Sequence, residues 1–223
     1  VTATDQTIAE QSAALRAGFA LTAPAKIVDA FAAEQDGLDA AGLPQRIAAP
    51  GTPMPDAKLL DVHGTATTLA EARWGQPAVV VFYRGAWCPY CNLTLRTYQQ
   101  QLVPALAARD LSLIAISPQK PDGALTMQET SGLTFTVLSD PGNQIAGQLG
   151  ILTMPADAVR EAQAALGVDV AAGNADGTHT LPMPTVVLVD ADGVIRWIDV
   201  HPNYATRTEV PQILEAVGSQ LGG

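Results

Sequence analysis

Two cysteines are the whole thiol inventory of this 223-residue chain, and they stand three residues apart in Trp87-Cys88-Pro89-Tyr90-Cys91. On a helical turn residues at this spacing are neighbours, so their sulfurs can close to a disulfide after little rearrangement. What flanks the pair decides its chemistry. The run AVVVFY at 78–83 is continuously β-branched and aromatic, the mark of a strand buried on both faces, and residues 91–108 read as helix. The cysteines therefore fall where a strand hands over to a helix. First-turn N–H groups of a helix are unpaired and its dipole is positive there. A thiolate is stabilised in that position and its pKa falls below the free value of about 8.5. A thiol tuned to ~7 goes from a few per cent thiolate to roughly half at neutral pH. Pro89 suits the first turn, since its missing N–H would be unpaired anyway.

Blander readings of the pair fit less well. A structural disulfide across so small a loop removes little chain entropy. Structural zinc wants four ligands, and beyond the cysteines the chain offers three dispersed histidines, His63, His179 and His201. None of these is assigned as a general base, because an activated thiolate does not require one. Two inert, packed cysteines remain conceivable, but a CxxC beside a strand–helix–strand pattern points to redox-active thiols. No metal and no organic cofactor is implied.

The elements that must hold this pair are readable from periodicity. Strand, helix and strand follow one another from 78–83 through 91–108 to LSLIAIS at 111–117, a βαβ unit with a right-handed crossover as the default. Residues 57–62 read as a short strand with a turn at His63-Gly64. A helix is expected over 122–131, a strand over 135–138 and a short helix over 143–149. Residues 153–180 read as an insertion with a helical piece at 156–166. TVVLV at 185–189 and the run 194–200 flank Asp190-Ala191-Asp192-Gly193, a hairpin signal, and 210–221 closes the chain as an amphipathic helix. Before all this, apolar residues at three- and four-residue spacing mark two helices within the first forty residues, broken at 22–24. A connector rich in Gly and Pro at 41–55 divides an N-terminal helical extension, 1–46, from the remaining domain, 47–223.

Composition narrows the partners. Twelve basic against 22 acidic side chains leave a net charge of −10, which argues against nucleic acid, whose phosphates are met mainly by Lys and Arg, and against anionic membranes. No stretch approaches the roughly 18 apolar residues of a membrane span. The polar, acidic start lacks a secretory pattern, so a reducing, cytoplasmic setting is the expectation. With 48% hydrophobic and 15% charged residues, disorder is disfavoured.

These residues carry a resemblance. Cys-Pro-Tyr-Cys after a buried strand resembles the active site of the thioredoxin-fold superfamily, and Met183-Pro184-Thr185 before TVVLV resembles that superfamily's cis-proline loop. The wider order, from Pro55-Asp56 through Phe82-Tyr83, Ala115-Ile116-Ser117, Val137-Leu138-Ser139-Asp140 and Val189-Asp190 to Gly193, is similar to the peroxiredoxin (alkyl hydroperoxide reductase/thiol-specific antioxidant) family. It covers about residues 47 to 217. The resemblance implies an α/β, thioredoxin-like three-layer α/β/α fold with a mixed central sheet, carrying the helical extension. It also implies a thiol-dependent peroxidase. Set on Phe82-Tyr83, the family motif puts Arg84 at its proline, Cys88 at its threonine and Cys91 at its peroxide-reactive cysteine. A thioredoxin-style alignment instead makes Cys88 the more exposed nucleophile and Cys91 the resolver. The family's activating arginine before the TVVLV strand is replaced by Met183-Pro184. Arg84 is a candidate to stand in for that cation, Trp87 matches the aromatic that precedes thioredoxin-type dithiols, and Pro184 is expected beside the dithiol. Arg207, after Pro202-Asn203-Tyr204, has two readings, a return toward the site and a helix-start arginine, of which the second is the simpler expectation.

The implied partners are a peroxide and a thioredoxin-like or glutathione-based reductant, with a homodimer as one assembly. The alternative is a thioredoxin- or glutaredoxin-like thiol–disulfide oxidoreductase acting on protein or glutathione disulfides. A third reading is a redox sensor whose N-terminal helices form a dimer or partner surface, with packing on their own domain as the simpler expectation.

Overall fold

A strand apolar at every position must be covered on both faces. In the computed structural model, which describes residues 6–122, 128–129 and 132–222, β3 (Ala78–Phe82) is buried along its whole length. It shares a mixed sheet with β1 (Lys58–Leu60), β2 (Ala66–Thr68), β4 (Ser112–Ser117), β5 (Thr136–Ser139), β8 (Thr185–Val189) and β9 (Ile195–Val200). The order is β2-β1-β5-β4-β3-β8-β9. β3 pairs parallel with β4 and antiparallel with β8, with Phe82 opposite both Ile116 and Thr185. A small ladder of β6 (Leu152–Thr153) and β7 (Leu181–Pro182) stands apart. Helices cover both faces, giving the three-layer thioredoxin-like fold with its mixed sheet.

The pleat of β3 divides the core. Val79, Val81 and Tyr83 face one layer, with both cysteines and the C-terminal helix Val210–Leu221. Ala78, Val80 and Phe82 face the other, with the helix Gln144–Leu149. After β3 the chain turns through Arg84 to Trp87 into α4 (Pro89–Thr97). The helix expected to run unbroken over 91–108 is widened at Tyr98–Leu102 into a π-helical segment before α5 (Val103–Ala107). The cause is Pro104, which has no N–H for the carbonyl four residues back and clashes with it.

α1 (Ile8–Thr22) and α2 (Ala25–Ala41) pack on the body of the protein. Ile8 is 1% exposed and belongs to the cysteine-side core, a burial worth about 1.5–3 kcal/mol. The Glu209 carboxylate accepts hydrogen bonds from the N–H groups of Ile8 (3.0 Å) and Ala9 (2.8 Å). At the C-terminal helix the Glu209 N–H donates to Gln212 Oε1 (2.8 Å), so its carboxylate is left to satisfy the start of α1. Asn203 donates to Asp39 (2.7 Å), and Glu34 accepts from the Ala156 N–H (2.7 Å), tying α2 down as well.

Periodicity missed β2 and α3 (Leu69–Arg73), although Thr68 and Glu71 form a capping box whose T-x-x-E signature is visible in sequence. The insertion holds the helices Asp157–Ala165 and Val170–Gly173. The helix expected over 122–131 falls largely outside the described residues. Among the described residues no helix is long and apolar enough to cross a membrane.

Candidate active site

Cys88 is the N-cap of α4, Pro89 follows at the first helical position and Cys91 stands in the first turn. The approach is held by its own backbone. Gly85 has φ +149°, and a Cβ there would lie 2.6 Å from Trp87 Nε1, so only glycine fits. The Ala86 N–H donates to Gln119 Oε1 (2.6 Å) and the Ala86 carbonyl accepts from Asn92 Nδ2 (2.9 Å). Both cysteines are free thiols and each is 1% exposed. The expectation that Cys88 is the more exposed sulfur is therefore corrected: α1 and α2 lie over that end of the helix.

The two sulfurs differ in their surroundings. Arg207 Nη2 donates to Cys91 Sγ at 3.4 Å, and its Nη1 is fixed by the carbonyls of Tyr204 and Thr206. Burial pushes the Cys91 thiol up, but a hydrogen bond from Cys88, the Arg207 charge, the Arg84 backbone N–H and the Arg84 charge together hold it well below the ordinary thiol range. Burial pushes Cys88 up, and the hydrogen bond to Cys91 and the charge there push it further, with both arginines opposing. The two thiols titrate as a coupled pair in which the arginine contacts favour the negative charge on Cys91.

Arg207 is thus no mere helix-start residue. The C-terminal helix begins three residues later, at Val210, and the preceding loop is anchored from three sides. The buried Tyr98 hydroxyl donates to the Thr208 carbonyl (2.7 Å), and Thr208 Oγ1 donates to Asp199 Oδ2 (2.8 Å). His201 bridges Asp199 Oδ2 (3.0 Å) and Thr206 Oγ1 (2.8 Å). His201 is in that way a brace of the Arg207 loop.

Arg84 is 3% exposed. Its guanidinium carbon lies 4.0 Å from the centroid of Tyr204 and 5.1 Å from that of Trp87, a cation–π sandwich. It supports the Cys91 thiolate by its charge, but the direct donor is Arg207. Pro184 lines a water-sized void of about 10 Å³ that also touches Cys91, Arg207 and His201. The cis bond implied by the resemblance is not found: no cis peptide occurs among the described residues. The trans isomer is intrinsically favoured for X–Pro, and the Pro184 carbonyl here accepts from the His201 N–H (2.9 Å).

A buried strand leading into a dithiol helix, on a mixed sheet covered by helices, defines a thioredoxin-fold thiol protein. The chain belongs to the AhpC/TSA family, whose model matches residues 50–198. It is 34% identical over 96 residues to a provisionally named peroxiredoxin of Mycobacterium tuberculosis H37Rv, covering 43% of this chain and 60% of that one. The match therefore spans less than two thirds of that relative's length. Among solved structures, reduced Prx3 of Vibrio vulnificus, in complex with hydrogen peroxide, superposes with TM-score 0.62 at 18% identity, over 77% of this chain and 99% of that one. The peroxidoxin BcpB of Mycobacterium tuberculosis gives 0.58 at 19%, over 78% and 96%. At these identities the structural likeness speaks for the fold.

Proposed function

We propose that the protein is a thiol-dependent peroxidase in which Cys91 attacks the peroxide and Cys88 resolves the product. The observation that carries this is the Arg207 guanidinium on Cys91 Sγ. It assigns the negative charge to the sulfur that the family register also selects. The Cys91 thiolate attacks one peroxide oxygen, the O–O bond breaks, and the sulfur becomes sulfenic acid while the departing oxygen takes a proton. Cys88, the neighbouring thiol at the N-cap of the same helix, is placed to give that proton. The resulting Cys88 thiolate attacks the sulfenic sulfur, a disulfide forms and hydroxide leaves, to be protonated by solvent. Net, the dithiol pair is oxidised by two electrons and the peroxide is reduced to water and an alcohol, or to two waters. The void beside Cys91 is of about one water's size, room for a single peroxide oxygen against the sulfur.

An external dithiol, thioredoxin-like or otherwise, returns the disulfide to the reduced state. A thioredoxin-like oxidoreductase would need its N-terminal cysteine as the thiolate, whereas the guanidinium contact here is to Cys91. Stopped-flow mixing of the reduced protein with hydrogen peroxide tests the reading, with sulfenate trapped by dimedone. Wild type is expected to oxidise far faster than free cysteine and to show a transient adduct on Cys91. Oxidation no faster than free cysteine, or an adduct on Cys88 alone, overturns it.

A further inference from the structure

α1 and α2 enclose, against the N-terminal end of α4, a cavity of about 260 Å³. The roof is apolar, with Leu15 and Phe19 from α1 and Val28 and Phe31 from α2. This is small beside the usual drug-sized pocket of about 300–1,000 Å³. The floor contains Cys88 but not Cys91, whereas the void on the far side contains Cys91 but not Cys88. The dithiol is therefore approached from two different spaces.

The cavity wall is not uniformly apolar. Arg84 and Gln163, each 3% exposed, lie in it together with Trp87. Arg84 Nε, Trp87 Nε1 and both amide atoms of Gln163 are buried with no hydrogen-bond partner. Among the described residues no carboxylate pairs with Arg84. Arg16 and Asp36, both exposed, stand at the rim with opposite charges. Buried donors left unpaired are costly, and their grouping around an apolar space with a guanidinium among them matches a ligand with an apolar body and an anionic, acceptor-rich head.

We propose that this cavity receives the reductant, a small aliphatic dithiol bearing a carboxylate, and delivers it to Cys88. The inference rests on the peroxidase reading for the origin of the disulfide. A thiolate entering from the cavity attacks Cys88 Sγ, the Cys88–Cys91 bond breaks, and the electron pair leaves on Cys91. A second thiol of the reductant then attacks the mixed disulfide, releasing reduced Cys88 and an oxidised, cyclic disulfide of the reductant. Cys91 leaves as the thiolate that Arg207 already stabilises, and a low-pKa thiol leaves faster. A peroxide in the same cavity would meet Cys88 and not the sulfur that Arg207 contacts, which is why the cavity is assigned to the reductant.

The experiment follows reduction of the full-length protein after its disulfide has been formed with diamide, so that it does not depend on peroxide turnover. Dihydrolipoic acid is the probe, with dihydrolipoamide, glutathione and a thioredoxin as comparators. The expected result is a rate that saturates with dihydrolipoic acid and exceeds that with the amide about tenfold. Ala32→Phe, placed in the cavity wall on the exposed face of α2, is expected to lower that rate at least tenfold while leaving oxidation of Cys91 by hydrogen peroxide unchanged. The proposal is overturned by rates linear in dihydrolipoic acid and indifferent to Ala32→Phe. It is equally overturned by faster reduction with glutathione or thioredoxin that Ala32→Phe leaves intact, or by Ala32→Phe slowing oxidation by a carboxylate-bearing hydroperoxide instead. Failure of hydrogen peroxide to oxidise Cys91 counts against the peroxidase reading alone.

Discussion

Cys91 and Cys88 lie three residues apart and are equally buried, yet their surroundings differ in almost every respect. On the Cys91 side the space is water-sized and the wall is braced: Arg207 is pinned by two carbonyls, and Tyr98, Thr208, Asp199 and His201 lock the loop that carries it. On the Cys88 side the space is larger and mostly apolar, its roof is made of the N-terminal helices, and several buried donors have no partner. Preorganised charge at a fixed distance suits a step in which charge moves off sulfur. A roomier pocket under an added pair of helices suits recognition of a whole molecule. Spacing alone does not make the two cysteines of a CxxC equivalent; the elements packed over each decide its role.

The largest effect that can break this comparison comes from the sulfurs themselves. Cys91→Ser is expected to abolish rapid oxidation by peroxide. Cys88→Ser is expected to keep sulfenate formation but accumulate it, since no disulfide can follow; intact mass after a peroxide pulse, with and without dimedone, separates the two. Reversed phenotypes would exchange the roles of the two sides.

Arg207→Gln comes next. A hydrogen bond to a charged group contributes about 1.5–3 kcal/mol, and about 1.36 kcal/mol corresponds to one pKa unit. The Cys91 pKa, about 5 in the folded protein, is therefore expected to rise by about one to two, cutting iodoacetamide alkylation at pH 6 by about two- to tenfold and leaving it almost normal at pH 9. The sign carries into stability. The folded-state pKa of Cys91 lies below its unfolded value, so the thiolate contributes stability that is fully present above the unfolded thiol value of about 8.5 and is lost as pH falls through the folded value. Chemical denaturation from pH 5 to 9 should show this slope continuing to lower pH in wild type, with the Arg207→Gln curve flattening about one to two pH units earlier. A parallel pair of curves would place the stabilising charge elsewhere.

Tyr98→Phe probes the brace and not the charge. It removes the hydrogen bond to the Thr208 carbonyl, worth about 1 kcal/mol, and is expected to slow oxidation about fivefold with an upward shift of the alkylation profile. Loss of stability with an unmoved pH profile would make Tyr98 a packing residue only.

That brace also shows where sequence reading stops. The sheet strands and the dithiol junction were legible because they are local: a run such as AVVVFY and a CxxC at its end need no distant partner to be recognised. Arg207 was not, because its return to Cys91 depends on contacts with Tyr98 and Asp199, 109 and 8 residues away in the chain. Nothing in its neighbours Thr206 and Thr208 announces them. The relative exposure of the cysteines is hidden for the same reason: α1 and α2 read as plain amphipathic helices in sequence, and it takes Ile8 in the core, the Glu209 carboxylate and the contacts of Asp39 and Glu34 to tell where they dock. The trans Pro184 marks a limit of analogy, where a matching tripeptide does not carry its relatives' backbone geometry.

Glu209→Ala gives the smallest expected effect and the sharpest separation of the two sides. It removes the acceptor of the Ile8 and Ala9 N–H groups, a cap worth about 1 kcal/mol. α1 should then fray from its first turn, loosening the roof over Cys88 but not the Arg207 loop, whose own hydrogen bonds do not involve the Glu209 side chain. Hydrogen exchange is expected to accelerate about fivefold over residues 8–22, the kinetic equivalent of ~1 kcal/mol in a local opening equilibrium. The pH profile of Cys91 alkylation should stay where it is in wild type. A profile that moved with the helix would mean that the N-terminal extension holds the thiolate as well as covering its partner, and the two sides would then be one cooperative unit.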